Sequence, residues 1–506
     1  MERSLLHEKD RDPDGEKRVG GGPKIVWYCV WGVMALVAAV NALASYSVFS
    51  GKYGLFFSIL LAAVATVQLA LGGWFLSREE FALAAIVLFL FGAGQTEQRL
   101  HTVPPRLDFS AYYVAGRLAS EKPPERLYYH SVYPDGRIDP AAYADGWQQV
   151  TSHYGVSGAI TFVYPPLFAV LMKPFAYFSY DVAYVLWTIV TVVLTFASVL
   201  FSLSLGEKRV SIELALILIV GLFSYFPFYE ELVLGQVGSL ILFVCACGIW
   251  FLSRNRIWLS AFCLALATMI KITPIIVIPL LVFHRKWKWL AAYGCWMVCM
   301  LAFSIWQVGW AAHAQFLHSV MPSVSCGIPS SYNASIVVYV QELFLGYIPT
   351  AKLPPALPAL ACAVSKAVSF VIFVAMTVRF YLYRRQENLV RDLILMILVS
   401  LVISPISWWH HYTIALLAFV YLWCTMRRES GTDILLLTSV LVVGTNVAGF
   451  GVQLSSNHVA QLIFAATVPL LTLALAYFKV LQDGSTDSVS GAPSRESMRL
   501  GATMPS

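Results

Sequence analysis

The sequence predicts an all-α polytopic membrane protein with about 12 transmembrane helices, a membrane hairpin and outward-facing surface helices. Three observations carry that expectation. Of the 506 residues, 58% are apolar and only 12% are charged, roughly half the charge of an ordinary soluble chain. Mean hydropathy is +0.70, and the apolar residues gather in runs near the ~20 that cross a bilayer as a helix. Lys and Arg sit in short clusters between those runs, the pattern that sets topology. The net charge of +6 is therefore a topology signal, and no nucleic-acid partner is expected.

In order, the apolar runs read as spans at 25–49, 55–76, 81–95, 181–205, 211–228, 236–252, 289–308, 357–381, 391–405, 411–426, 432–452 and 459–478. The stretch 257–283 lies between two basic clusters, "SRNR" at 253–256 and "HRKWK" at 284–288. With both clusters inside, the stretch must enter and return. Two helices of about 13 residues, each rising about 20 Å, would break at "KITP" (271–274) and put Lys271 at the apex of a hairpin in the outer half of the bilayer.

The same rule puts "GEKR" (206–209), "YLYRRQENLVR" (381–391) and "RR" (427–428) inside. Connections 229–235, 406–411 and 453–458 carry no Lys or Arg and fall outside, as do two large ones, 96–180 and 309–356. The chain thus divides into a cytoplasmic disordered tail (1–24), three transmembrane helices (25–95), an outer loop with interfacial helices and the candidate site (96–180), and a helical block with the hairpin (181–308). A second outer loop (309–356), further helices (357–478) and a second disordered cytoplasmic tail (479–506) follow. No cleavable signal peptide is visible. A plasma (inner) membrane location with both termini cytoplasmic is expected.

Within the first outer loop, "DFSAYYVAGRLAS" alternates apolar and polar residues at helical spacing, and "PPLFAVLMKPFAYF" (165–178) is too short to span. Both suit helices at the membrane surface. Of the nine cysteines, eight lie in apolar segments and only Cys326 lies in a long polar connection, so no outward disulfide framework is expected. Cys245 and Cys247 diverge by about 200° on a helix and read as packing residues.

Four polar clusters stand out, because charge near a membrane is expensive. Asp108 opens the first outer helix, either as its N-cap or as a general base at the outer interface. "SPISWWHHY" (404–412) puts His410 and His411 at the end of a span, beside Trp408 and Trp409, which fit an interfacial belt. In "YEELVLGQVGSL" (229–240), Glu230 and Glu231 read as solvated loop charges, and Gln236 can both donate to and accept from a hydroxyl. Lys271 either snorkels to the interface or binds an anion from the outer leaflet. There is no Walker A, GxGxxG, HExxH or GxSxG signature. No ligand cluster argues for a metal, and no cofactor is expected.

Five stretches taken together resemble glycosyltransferase family 87: "LDFSAYYVAGR" (107–117), "FVYPPLFAVLMKPFAYFSYDVAYVLW" (162–187), "LGQVGSLILFV" (234–244), "LALATMIKITPIIVIPLL" (264–281) and "ISPISWWHHYTIALLA" (403–418). The family includes polyprenol-phosphate-mannose-dependent α-mannosyltransferases of mycobacteria. The resemblance implies a GT-C-type fold with a non-cytoplasmic active site and a polyprenyl-phosphate-linked sugar donor. It places the family's acidic base at Asp108. Here two extra apolar segments, 25–49 and 55–76, precede the span before that residue.

Topology argues for the same donor, since an outward site cannot reach cytoplasmic sugar nucleotides. The expected activity moves a hexosyl or pentosyl unit, mannose first, to a glycolipid or glycan acceptor among membrane lipids, by direct inverting displacement. Lys271, His410, His411 and Arg106 are the candidates for the donor phosphate. Tyr112, Tyr113, Tyr164, Gln236, Trp408 and Trp409 are the candidates for the remaining substrate contacts. The alternative is a secondary transporter or flippase, which predicts symmetric broken helices and an internal repeat; the sequence has no convincing repeat.

Overall fold

A computed structural model describes residues 106–121, 127–128, 146–156, 160–206, 222, 225–330, 332–346, 357–383, 389–425, 435–436, 439–440, 442–444 and 458–490. The expected spans at 25–49, 55–76 and 81–95, and most of those at 211–228 and 432–452, lie outside the described residues. What is described is all helical, with one isolated backbone bridge, Asn333 to Trp408.

In chain order the α-helices are α1 (Leu107–Ser120), α2 (Gln148–His153), α3 (Pro166–Met172), α4 (Tyr180–Leu205) and α5 (Phe226–Leu234). They continue as α6 (Gly238–Ser253), α7 (Ile257–Ile270), α8 (Ile278–Phe283), α9 (Trp287–Gln315) and α10 (Met321–Ser325). The last are α11 (Ile336–Leu345), α12 (Ala359–Leu382), α13 (Leu389–Ile403), α14 (Leu416–Thr425) and α15 (His458–Ser490). Four helical stretches are long and apolar enough to cross a membrane: Tyr180–Leu205, Trp287–Ser325, Ala359–Leu382 and Gln461–Lys479. Their flanks expose Val185, Ile189, Val193, Phe370 and Val371. In water such apolar surface would be a liability, but against lipid it costs nothing.

The segment after α7 has a direction that can be read from two hydrogen bonds. Trp289 Nε1 donates to Ser260 Oγ at 2.8 Å, and Tyr293 and Thr268 pair through their hydroxyls at 2.9 Å. Early α7 therefore meets early α9, and later α7 meets later α9, so the two helices run the same way. The chain between them must return. α7 stops at Ile270, Lys271 is extended (φ −147°, ψ 124°), and a 3-10 turn, Thr273–Val277, leads into α8. Pro274 and Pro279 each sit in the first turn of a helical piece, where a missing N–H costs least.

Several expectations are corrected. α1 is not an exposed surface helix: ten of its fourteen residues are buried. It packs on α3 so closely that a Cβ on Gly116 would lie 2.7 Å from the Met172 carbonyl oxygen. Its amphipathic pattern is faint because protein covers both faces. Much of the second outer loop, 309–356, is helical. Gly309 (φ 80°) breaks the helical geometry of α9, and the chain then stays helical to Ser325. The span expected at 411–426 opens as a seven-residue 3-10 turn, Trp409–Ala415, before α14. The tail expected to be disordered from 479 continues as α15 to Ser490, helix propagation being cooperative.

A disulfide joins Cys326 to Cys362, with Cα atoms 5.5 Å apart, against the expectation of no outward disulfide. In sequence Cys362 reads as part of an apolar run. It stands in the first turn of α12, at the mouth of that run, within bonding reach of the loop.

Candidate active site

The site is assembled from four separate stretches of chain, and each is fixed locally. Asp108 is the second residue of α1. It is not the N-cap: Arg106 occupies that position in a left-handed conformation (φ 66°), and no side chain caps the helix. The Asp108 carboxylate is therefore not taken up by backbone N–H groups. Backbone and aromatic contacts hold the helix start instead. Arg106 N–H donates to the Val233 carbonyl at 2.8 Å, and the Tyr180 hydroxyl donates to the Arg106 carbonyl at 3.1 Å.

Gln236 is the partner that Asp108 does have. α5 ends on Gly235 in the left-handed region (φ 71°), where a Cβ would come within 2.5 Å of Phe109 Cβ. Only glycine lets α1 approach this turn so closely. The Trp187 indole N–H donates to the Gly235 carbonyl at 3.0 Å, pinning it. The Gln236 Oε1 atom accepts from Tyr112 at 2.7 Å and lies 3.4 Å from the Tyr164 hydroxyl, while the two hydroxyls are 3.0 Å apart. With its oxygen occupied, Gln236 has its amide N–H2 for Asp108, to which it is hydrogen-bonded.

Burial raises the Asp108 carboxyl above its ordinary range, and nearby Glu230 adds to this; His410, the Gln236 hydrogen bond and Lys271 act in the opposite direction. The carboxylate is thus a stronger base than a solvated one.

Lys271 stands where α7 ends, and its Nζ lies 2.9 Å from His411 Nε2. The carboxylates acting on it are Glu231 and Asp108. His411 and His410 sit side by side on the 3-10 turn, both buried, with rings 4.7 Å apart and nearly perpendicular (89°). They diverge as neighbours on a helical turn must: His411 faces Lys271, and His410 Nδ1 lies 3.9 Å from Glu230 Oε1. The turn itself is clamped by residues 333–334. Asn333 Oδ1 accepts from Ser407 N–H at 3.0 Å, Ala334 N–H donates to the Ser407 carbonyl at 2.8 Å, and the Tyr412 hydroxyl donates to the Ala334 carbonyl at 2.8 Å.

Glu230 and Glu231 are functional-site neighbours that the sequence does not reveal. Both are buried, at 6% and 0% exposure, not solvated. Glu231 Oε1 accepts the Ser239 N–H in the first turn of α6, an N-terminal anchoring that complements the helix dipole. Burial pushes its carboxyl up to about 7. An adjacent acid pair between two apolar runs looks the same in sequence whether it faces water or the protein. The one available signal is the Gly-Gln that follows, which turns the chain back inward.

The other named residues have partners of their own. Arg106 ion-pairs with Asp181 and stacks over Tyr184, 4.6 Å from the ring centre. The Tyr113 hydroxyl donates to the Phe178 carbonyl at 2.9 Å and accepts from Arg117. Trp408 pairs with Asn333 through the backbone bridge, and Trp409 is buried against Tyr412. Tyr112 and Tyr164 do reach the site, but through their hydroxyls. Their rings pack edge to face at 5.2 Å. Among the described residues, no group of three His, Cys, Asp or Glu side chains could hold a metal ion.

An all-helical chain with apolar spans, and a buried carboxylate facing a lysine and two histidines at helix ends, defines a membrane protein with a polar site enclosed among its helices. Residues 162–405 match the family model of glycosyltransferase family 87. Over that segment the chain is similar to the family, and the similarity implies a membrane glycosyltransferase. The matched segment contains Tyr164, Gln236 and Lys271; Asp108 precedes it and the histidine pair follows it. No curated protein matches the chain.

Proposed function

We propose that the protein transfers a glycosyl unit, mannose first, from a polyprenyl-phosphate donor to a hydroxyl of a glycolipid or glycan acceptor on the non-cytoplasmic face. The observation that carries this reading is the convergence of Asp108, Lys271 and the His410/His411 pair, more than 300 positions apart at the extremes, around one carboxylate whose burial strengthens it as a base.

In the proposed reaction, Asp108 takes the proton of the acceptor hydroxyl. The oxygen attacks the anomeric carbon from the face opposite the phosphate. The carbon–oxygen bond to phosphate breaks, and polyprenyl phosphate leaves with the electron pair. Inversion follows from a single displacement. A phosphate needs no acid to leave, so one carboxylate suffices where a glycosidase needs two. Lys271, backed by the histidine pair, neutralises the charge that develops on the leaving group. Gln236, with Tyr112 and Tyr164 behind it, orients the Asp108 carboxylate toward the acceptor.

The Cys326–Cys362 disulfide favours an outward orientation, because such bonds persist in oxidising compartments. It lies on the segment 326–335 that packs over the histidine turn. This agrees with the arrangement of basic clusters inside and with both termini in the cytoplasm. We extend the four described spans to the full set of about 12 on the hydropathy pattern.

The test incubates membranes containing the protein with radiolabelled polyprenyl-phosphate mannose and follows label into a new covalent product. Label that crosses the membrane without a new bond would favour a flippase instead.

A further inference from the structure

Among the residues expected to hold the donor phosphate, His411 has no free ring nitrogen for it. Its Nε2 lies 2.9 Å from Lys271 Nζ, and its other ring nitrogen is hydrogen-bonded to the Ile406 backbone carbonyl. A carbonyl only accepts, so Nδ1 carries the ring proton. Nε2 then presents a lone pair. A lysine ammonium has three donors and no acceptor, so the contact runs from Lys271 to His411. A ring used at both nitrogens is a neutral acceptor, and it cannot also donate to a phosphate oxygen. His410 differs: among the described residues neither of its ring nitrogens has a hydrogen-bond partner, although both are buried.

We infer that His411 is a positioning residue that acts through Lys271. It accepts one of the three ammonium protons and so aims the other two toward the donor phosphate, while His410 is the histidine that can meet the phosphate directly. This rests on the proposed function, in which Lys271 binds that phosphate.

The need for such a holder follows from the local backbone. Lys271 follows the last residue of α7 in extended conformation. Its long side chain would otherwise be free to turn toward Glu231, which also acts on it. Lysine is a flexible point charge without the fixed fork of arginine, so a lone-pair acceptor on the far side selects one rotamer. His411 is well placed for that, because its own ring is fixed by Ile406 at one edge and His410 at the other.

The experiment measures binding of farnesyl phosphate to the purified full-length protein in detergent, with thermal unfolding as a check on folding. Lys271→Ala should weaken binding about tenfold or more, as loss of a buried charge–phosphate contact does. His411→Gln, which keeps an oxygen near the Nε2 position, should bind within about threefold of wild type. His411→Leu, which removes the acceptor and adds no donor, should bind about tenfold more weakly.

A double variant is decisive where single variants perturb the fold. Lys271→Ala with His411→Ala should bind no more weakly than Lys271→Ala alone, because His411 has nothing left to position. An additional loss on top of Lys271→Ala would overturn the positioning role and make His411 a direct ligand, and a leucine variant that binds as well as wild type would overturn that role outright. Lys271→Ala binding like wild type would instead count against the phosphate role of Lys271 on which the inference rests.

Discussion

Replacing Asp108 with asparagine removes one charge and leaves the volume of the site almost unchanged. Gln236 keeps a carbonyl oxygen to donate to, so the Tyr112–Gln236–Tyr164 network has no reason to collapse. What is lost is the ability to accept a proton. Positioned general bases contribute roughly 10²–10⁴-fold to rate, which corresponds to about 3–5 kcal/mol of barrier. Transfer should fall by at least that range, with substrate binding little changed.

Stability should move the other way. The Asp108 carboxyl is raised by burial, so the folded protein holds its proton to higher pH than the unfolded chain. Ionising it then costs folding free energy as pH rises through that window. An asparagine at this position has no such cost. The variant should therefore unfold at the same temperature as wild type, or higher, at neutral pH, and the difference should vanish in acid.

The pH profile supplies a third reading. Wild-type transfer should fall as the medium is acidified, with a midpoint above the ordinary carboxylate range, because below it the base is protonated. Residual activity of the variant should lack that limb. The assay is transfer of label from polyprenyl-phosphate mannose over a pH series, with melting curves on the same preparations. An Asp108→Asn protein with full activity, or an unchanged acid limb, would refute the assignment.

Arg106→Ala should change transfer less than about twofold, since its guanidinium pairs with an exposed Asp181 and such pairs contribute little; the same transfer assay checks it. Gly116→Ala should destabilise the protein by about 1–3 kcal/mol through overpacking, read as a lower melting temperature, because its Cβ would meet the Met172 carbonyl at 2.7 Å. In intact cells, a membrane-impermeant maleimide should label Cys326 and Cys362 only after reduction, while Cys326→Ser should free Cys362 for labelling; labelling without reductant would count against the disulfide.

Some of this arrangement is legible in the sequence, and the limits have physical causes. Spans that face lipid announce themselves: the run 181–205 and the helix Tyr180–Leu205 nearly coincide. Lys271 is conspicuous because a charge inside an apolar run must have a reason. α1 is harder, since a helix covered on both faces shows neither a clean stripe nor a span's length. Glu230 and Glu231 escape for a related reason. Polarity says that a side chain needs partners, not whether those partners are water or protein. Arg106, two positions before Asp108, looks like its natural partner. The left-handed turn at Arg106 sends the two side chains apart, a consequence of one backbone dihedral that composition cannot reveal.

The balance of charge around Lys271 explains why the acids and the histidines belong together. Asp108 and Glu231, half-buried and buried carboxyls, both act on the single Lys271, and buried Glu230 acts in turn on Asp108. Three ionised carboxylates against one ammonium would be untenable at low dielectric. The structure relieves this in three ways: Glu231 accepts a backbone N–H and is pushed up to about 7, Glu230 lies beside His410, and Asp108 is itself raised by burial. The result is that Asp108 and Glu231 hold protons more readily than solvated acids. A donor phosphate added to such a site brings a negative charge toward groups that can take up a proton in response. Under the proposed function, Glu231 is the acid placed to take up that proton, which leaves the Asp108 carboxylate free to act as the base when the acceptor arrives.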